Sequence, residues 1–258
     1  MNGQVIPLFE HEHILRTEML TRLRDYAYSY SELEYEDYSD GIISGCKIAT
    51  TEDRLILNQG LIHYGGHIYL ITEPMFMEYH PTNTWCVFKI CFLDANESNG
   101  YLCRAIEIHL SEDTNLESNE MELCRFKLQP GAHLRTKYVD FFDRNTEFDT
   151  LINIHAPFCA IEKSSISPEI TRAFVREARL YEVEDLDIPF FMQVLNTKGA
   201  VSREVIELYL SLRLRKDFSS CSNLDIFNAF CEILRSLKSG NKLDFSQKKT
   251  KKRKIVVC

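Results

Sequence analysis

Apolar residues recur at steps of three or four along 13–30, at Leu15, Met19, Leu23, Ala27 and Tyr30. This spacing predicts a helix with one apolar face. Residues 31–40 mix carboxylates and tyrosines without a period and read as an acidic surface loop. Short β patterns follow at 42–48, 54–57, 60–64, 67–72 and 75–79. Gly65 and Gly66 separate two of these segments, and a two-residue primed turn needs positive φ at both central positions, so 60–72 is expected to form a hairpin. In 85–93 one face is made entirely of Cys86, Phe88, Ile90 and Phe92, the composition of a central strand. Alternation returns at 101–110, interrupted by Arg104, and at 121–128, with weaker strand patterns at 138–142 and 151–156.

The period changes after residue 164. Ser167-Pro168-Glu169 is a helix start: serine can cap, proline is tolerated at the first helical position, and glutamate suits the dipole. Ile170, Phe174, Ala178 and Tyr181 then share a face. A second helix is expected over 187–196, stopping at Lys198-Gly199. A third begins at Ser202 with Val205, Tyr209 and Leu212 inward. A fourth begins near Asn223 with Phe227, Phe230, Leu234 and Leu237 inward, ending at Gly240. The pattern predicts an α+β chain in four parts: an N-terminal helix and acidic loop (1–40), a mainly antiparallel β domain (41–160), a small helical domain (164–240) and a disordered basic tail (241–258).

Composition narrows the class. The chain has 258 residues, 45% hydrophobic and 26% charged, which suits a folded globular protein rather than a disordered one. The N-terminus lacks the basic start and long apolar run of a secretory signal, and no apolar stretch reaches the ~18 residues needed to span a bilayer. Synthesis and retention in the cytosol are expected. The nine cysteines are scattered, with no C-x-x-C pair, and read as reduced core residues. The formal charge is −8, yet Lys248, Lys249, Lys251, Lys252, Arg253 and Lys254 supply six cations, leaving the rest near −14. Such a body repels nucleic acid, so any polyanion binding is expected to work through the tail. Ile255, Val256 and Val257 beyond it could add a short strand to a neighbour's sheet edge.

The stretch DGIISGCKIATTEDRLILNQGLIHYGGHIYLITEP resembles a pattern of phage tail and baseplate-associated proteins, including those of tail-like contractile particles. It consists of a glycine-bracketed strand, a polar loop, a strand, then a glycine and a hairpin with an aromatic second arm. Gly41, Gly45, Gly60, Gly65, Gly66 and Tyr69 occupy the marked positions. The preceding EHILRTEMLTRLRDYAYSYSELEYEDYSDG and the later CRFKLQPGAHLR are similar to prophage proteins of Gram-positive bacteria, so the resemblance spans about 8–160. It implies a structural component of a multi-subunit assembly, made in the bacterial cytoplasm and docked on other tail or baseplate proteins, not an enzyme. Gly41, Gly45, Gly60, Gly65, Gly66 and Tyr69 become candidate interface residues. The alternative is a nucleic-acid-binding module acting through the basic tail.

Candidate chemistry is sparse, and neither a cofactor nor a metal is expected. His11 and His13 lie two apart, which on a helix turns them about 200° from each other. In a Gly65-Gly66 hairpin Tyr64 pairs with His67 and His63 with Ile68, sending the two histidines to opposite sheet faces. Asp140, Asp143, Glu147, Asp149 and His155 form one acidic cluster, read as a solvated loop. His155 lies four residues before Cys159, which alone does not make a nucleophile. P-loop, G-x-S-x-G and H-E-x-x-H motifs are absent from the sequence.

Overall fold

The computed structural model describes residues 5–9, 11, 14–98 and 100–240. Helix α1 spans Thr17–Glu34. It starts later than the apolar spacing suggested and runs through much of the expected acidic loop. Glu32, Leu33 and Glu34 are good helix formers, and the Ser31 hydroxyl donates back to the Tyr28 carbonyl at 2.8 Å. None of its residues is buried.

Eleven strands follow among the described residues: β1 Gly41–Gly45, β2 Ile48–Thr50, β3 Arg54–Leu57, β4 Gly60–Tyr64, β5 His67–Ile71, β6 Met75–Glu78, β7 Trp85–Phe92, β8 Asn96–Ser98, β9 Tyr101–Cys103, β10 Ile106–Ser111 and β11 Glu120–Lys127. They form antiparallel sheets ordered β1-β4-β5, β2-β3-β6 and β10-β7-β11, with β8-β9 as a separate hairpin. Strand β7 is central, as its apolar face required, and Cys86, Phe88, Ile90 and Phe92 are buried. The expected hairpin register is present, with Tyr64 opposite His67 and His63 opposite Ile68.

Four β expectations are corrected. The 42–48 segment splits because Gly45 and Cys46 both take positive φ, where the Cys46 N–H donates to the Gln59 carbonyl at 2.9 Å. The 101–110 segment splits at Arg104-Ala105; its first part pairs with the unforeseen strand β8 and leaves Leu102 exposed. Residues 138–142 are not a strand but lead into the 3-10 turn Phe142–Asn145, because the Asp143 carboxylate draws in both the Val139 N–H and the Arg135 guanidinium. Residues 151–156 make isolated bridges, such as Ile152 with Arg125, rather than a ladder.

Helices α2 Pro168–Ala178, α3 Asp187–Asn196, α4 Arg203–Leu214 and α5 Asn223–Ser239 complete the described chain. The expected signals operate: the Ser167 hydroxyl accepts the Glu169 N–H, Ser222 and Asp225 make a reciprocal capping box, and Gly240 closes α5 in the left-handed region. In α4, Leu212 is exposed and not inward; Arg213 takes the interior position, because Asp187 of α3 holds it there.

Two apolar cores result. Leu55, Leu57, Ile62, Phe88, Ile90 and Phe126 anchor the β core. Phe174, Phe227 and Phe230 anchor the helical core, each such ring contributing about 1.5–3 kcal/mol by leaving water. Phe141, Ile152 and Ile154, from the segment after the β sheets, belong to the helical core; the Phe141 ring stacks on Phe227 at 4.9 Å. The Phe141 N–H donates to Glu177 at 2.9 Å and the Asn223 amide to the Ala156 carbonyl at 3.3 Å, so hydrogen bonds also cross between the two regions.

Candidate interaction surfaces

The six glycine-hairpin residues fall into two groups. A methyl group built on Gly41, whose φ is 151°, would lie 2.6 Å from the Cys159 nitrogen. Gly45 and Gly60 are equally closed, each against backbone of the other's strand end. These three glycines allow backbones to touch inside the β region. Gly65 and Gly66, with φ of 56° and 76°, have nothing within 4 Å of an added methyl and form the open tip of the β4–β5 hairpin. Tyr69 is half-buried, its ring edge-on to Phe92 at 5.0 Å. The sequence therefore marked all six positions without separating fold-shaping glycines from surface ones.

The two histidines beside that tip each meet a carboxylate from the chain before β1. His63 approaches Asp40 at 3.7 Å and places Nδ1 3.1 Å from the Ser39 carbonyl, while His67 approaches Glu32 of α1 at 3.4 Å. The acidic 140–155 cluster does not converge. Asp143 grips Arg135, Glu147 pairs with Lys127 at 2.9 Å, and the Asp149 carboxylate accepts the Gln129 N–H at 3.2 Å. The Arg135 guanidinium holds the Asp143 carboxyl well below the usual range, and burial pushes the His155 imidazole down. Among the described residues no group of three His, Cys, Asp or Glu side chains is placed to share a metal ion. Glu12 and His13 lie outside the described residues; His11 sits in a turn rather than a helix.

A cleft of about 740 Å³ lies where β1 and β2 approach the start of α2, lined in part by Tyr38, Lys47, Tyr138, Glu169 and Arg172. Several of its polar groups are engaged within the protein, although the buried Asn153 side-chain oxygen at the cleft has no hydrogen-bond partner. Arg172 donates to the carbonyls of Thr197 and Lys198 at 2.7 and 2.8 Å, and Lys47 pairs with Glu169 at 3.6 Å. The Tyr138 hydroxyl donates to the Leu151 carbonyl at 2.7 Å, and burial pushes it up to about 12. Burial likewise pushes the thiols of Cys46 and Cys159 at this cleft up to about 12, so both stay protonated and weakly nucleophilic at neutral pH. All eight described cysteines are free; Cys46, Cys86, Cys124, Cys159 and Cys231 are buried, whereas Cys103 is exposed, and Cys258 lies outside the described residues.

Two uncovered apolar surfaces stand out from this background. The first is α1, where Leu20, Leu23, Tyr26, Tyr30 and Leu33 are all exposed. The second comprises exposed residues of α3 and α4: Ile188, Met192 and Leu195 follow one another at helical spacing on α3 and Leu208 and Leu212 do so on α4, with Met192 67% exposed. Below them the Phe190 ring stacks on Tyr209 at 3.9 Å, and Asp187 accepts from both the Tyr209 hydroxyl and Arg213. Burial, first, and the Asp187 charge push the Tyr209 hydroxyl far up, so it remains a donor. Sequence inspection missed this polar anchor, because Asp187 and Arg213 are 26 residues apart and an acidic residue opening a helix is ordinary.

The cationic residues Lys248, Lys249, Lys251, Lys252, Arg253 and Lys254, and the following Ile255 to Val257, lie outside the described residues. Among those described, no helix is long and apolar enough to cross a membrane.

No known protein family matches the chain, and no curated protein matches it. Among solved structures, it is similar to a crystal structure of TssK, with TM-score 0.45 and 8% identity over 92% of this chain and 72% of that one. It is also similar to a chain of the TssK-TssF-TssG baseplate subcomplex of the type VI secretion system, with TM-score 0.39 and 7% identity over 92% of this chain and 100% of that one. Likeness at this level decides neither fold nor function.

Proposed function

We propose that the chain is a structural subunit of a contractile, tail-like assembly, seated in its baseplate or fibre-attachment region and acting by docking to other proteins. The observation that carries this reading is the pair of uncovered apolar helix surfaces, one on α1 and one on α3 and α4. Exposed apolar residues gathered at helical spacing on one side of a helix suit contact with a neighbour, since covering apolar surface is worth about 25 cal/mol per Å². Two such surfaces suit a subunit that contacts more than one neighbour, whereas a single pocket would suit a ligand-binding protein. The tail and baseplate character rests on the glycine-hairpin resemblance of 40–74. The open Gly65-Gly66 tip, with Tyr69 behind it, supplies a third contact, shaped from within by Gly41, Gly45 and Gly60.

Deleting the gene and imaging particles by electron microscopy tests this role. The expected result is sheath and tube proteins that fail to form complete particles, or particles lacking fibres. Intact, active particles made without this chain would reject it.

A further inference from the structure

We infer that α1 docks against α1 of a second copy of this chain, the two helices running antiparallel. The inference rests on the docking reading above and names the partner of one of its surfaces. At 100° per residue, Met19, Leu20, Leu23, Ala27, Tyr30 and Leu33 fall within an arc of about 140°, an amphipathic stripe. Met19 is half-buried and the other five are exposed. The helix meets the body at its C-terminal turns, where Glu32 approaches His67. Ser29 and Glu32, which face that contact with Leu33 at the stripe's edge, lie on a different side of the helix from Leu20, Leu23, Ala27 and Tyr30, so these four are left free.

The spacing of the stripe selects a helix as its occupant. Leu20, Leu23, Ala27 and Tyr30 alternate steps of three and four, the seam of a two-helix coiled coil. The charges select a second copy and its direction. Arg16, at the N-cap, and Glu34, at the last helical residue, lie on the same seam, eighteen residues and about five turns apart. Around a twofold axis at residue 25, Arg16 of each copy meets Glu34 of the other, Leu20 meets Tyr30, and Leu23 meets Ala27. A parallel pair would instead set Arg16 on Arg16 and Glu34 on Glu34. Off the seam, the helix carries Glu18, Arg22 and Arg24 in its first half and Asp25 and Glu32 after them, with no cation in its last turn. A seam about 27 Å long lies at the small end of specific interfaces, so monomer and dimer should exchange with concentration.

Sedimentation equilibrium of the full chain across a concentration series tests this. The expected result is a reversible dimer that Leu23→Glu abolishes and that Arg16→Glu or Glu34→Arg each weakens about tenfold, since each change sets two like-charge contacts in place of two ion pairs. The double variant Arg16→Glu/Glu34→Arg restores the dimer, as does mixing the two single variants. These side chains are exposed, so unchanged thermal melting controls for folding. A chain monomeric at every concentration overturns the inference, as does a dimer indifferent to Leu23→Glu or to the single charge reversals. Co-sedimentation of that same monomer with particle proteins would leave the docking reading standing, and its failure to bind any of them would remove both.

Discussion

Arg213 and Asp187 form an ion pair that joins α4 to α3 with both side chains closed to solvent, Nε lying 2.9 Å from Oδ1. The second Asp187 oxygen accepts the Glu184 N–H at 2.9 Å, and Arg213 reaches the half-exposed Glu184 carboxylate at the same distance. Every polar atom of the aspartate is thus engaged, which is the condition under which a buried charge is tolerated. The pair lies on the face of α4 that Ile206, Tyr209, Leu210 and Leu214 also bury. With Arg213 inward, Leu208 and Leu212 face water and belong to the uncovered apolar residues of α3 and α4.

Arg213→Met should therefore destabilise the protein by about 3–5 kcal/mol, because it strands a buried carboxylate. Adding Asp187→Asn should recover part of that loss, since the amide can still accept from Tyr209 without carrying charge. Urea unfolding of the two single variants and the double variant measures the coupling. Additive losses would mean that the pair does not anchor the helices.

This pair also shows what the sequence could and could not convey. Caps and glycine stops are local, so Ser167, Ser222 and Gly240 announced their helices, and Gly65-Gly66 announced its hairpin and register. Period alone placed Leu212 inward. The buried stripe is instead Ile206, Tyr209, Leu210, Arg213 and Leu214, in which an arginine is tolerated because Asp187 meets it. The same limit explains 138–142, where a weak strand pattern gives way to the Arg135–Asp143 grip. Likewise, the apolar face of α1 was legible as a face, but spacing cannot say whether a face is covered by the chain's own core. The division between close-packed Gly41 and open Gly65 was equally invisible, since both are glycines beside strands.

The Asp143 carboxyl is held low, first by Arg135 and also by the Val139 N–H and the Thr146 hydroxyl. A depressed carboxylate contributes stability that is present above its unfolded value, about 3.9, and lost as pH falls towards the folded one. Asp143→Asn should cost about 1–2 kcal/mol at pH 7, the lower end allowing for solvent screening around the partly exposed Arg135. The gap between variant and parent should narrow steadily between pH 5 and about pH 2.5. Denaturant titrations across that range check it, and a gap independent of pH would show that the guanidinium contact is not its source.

Gly41→Ala and Gly65→Ala separate the two kinds of glycine. At Gly41 the new methyl would meet the backbone of Cys159 and Phe158 at 2.6 and 2.7 Å, so a loss above about 3 kcal/mol is expected from clash and strain together. At Gly65 only the positive φ opposes the change, and about 1 kcal/mol is expected. Thermal melting of both variants tests the contrast, and equal losses would argue that both serve only as turns.

The most direct test of the assembly role is gradient sedimentation of particle preparations carrying either the parent chain or Met192→Glu/Leu208→Glu/Leu212→Glu. These three side chains are exposed, so the variant should fold and melt as the parent does. The docking account predicts that the parent travels with the particles and the variant stays at the top of the gradient. A parent chain that sediments alone, or a variant that still travels with the particles, would contradict it.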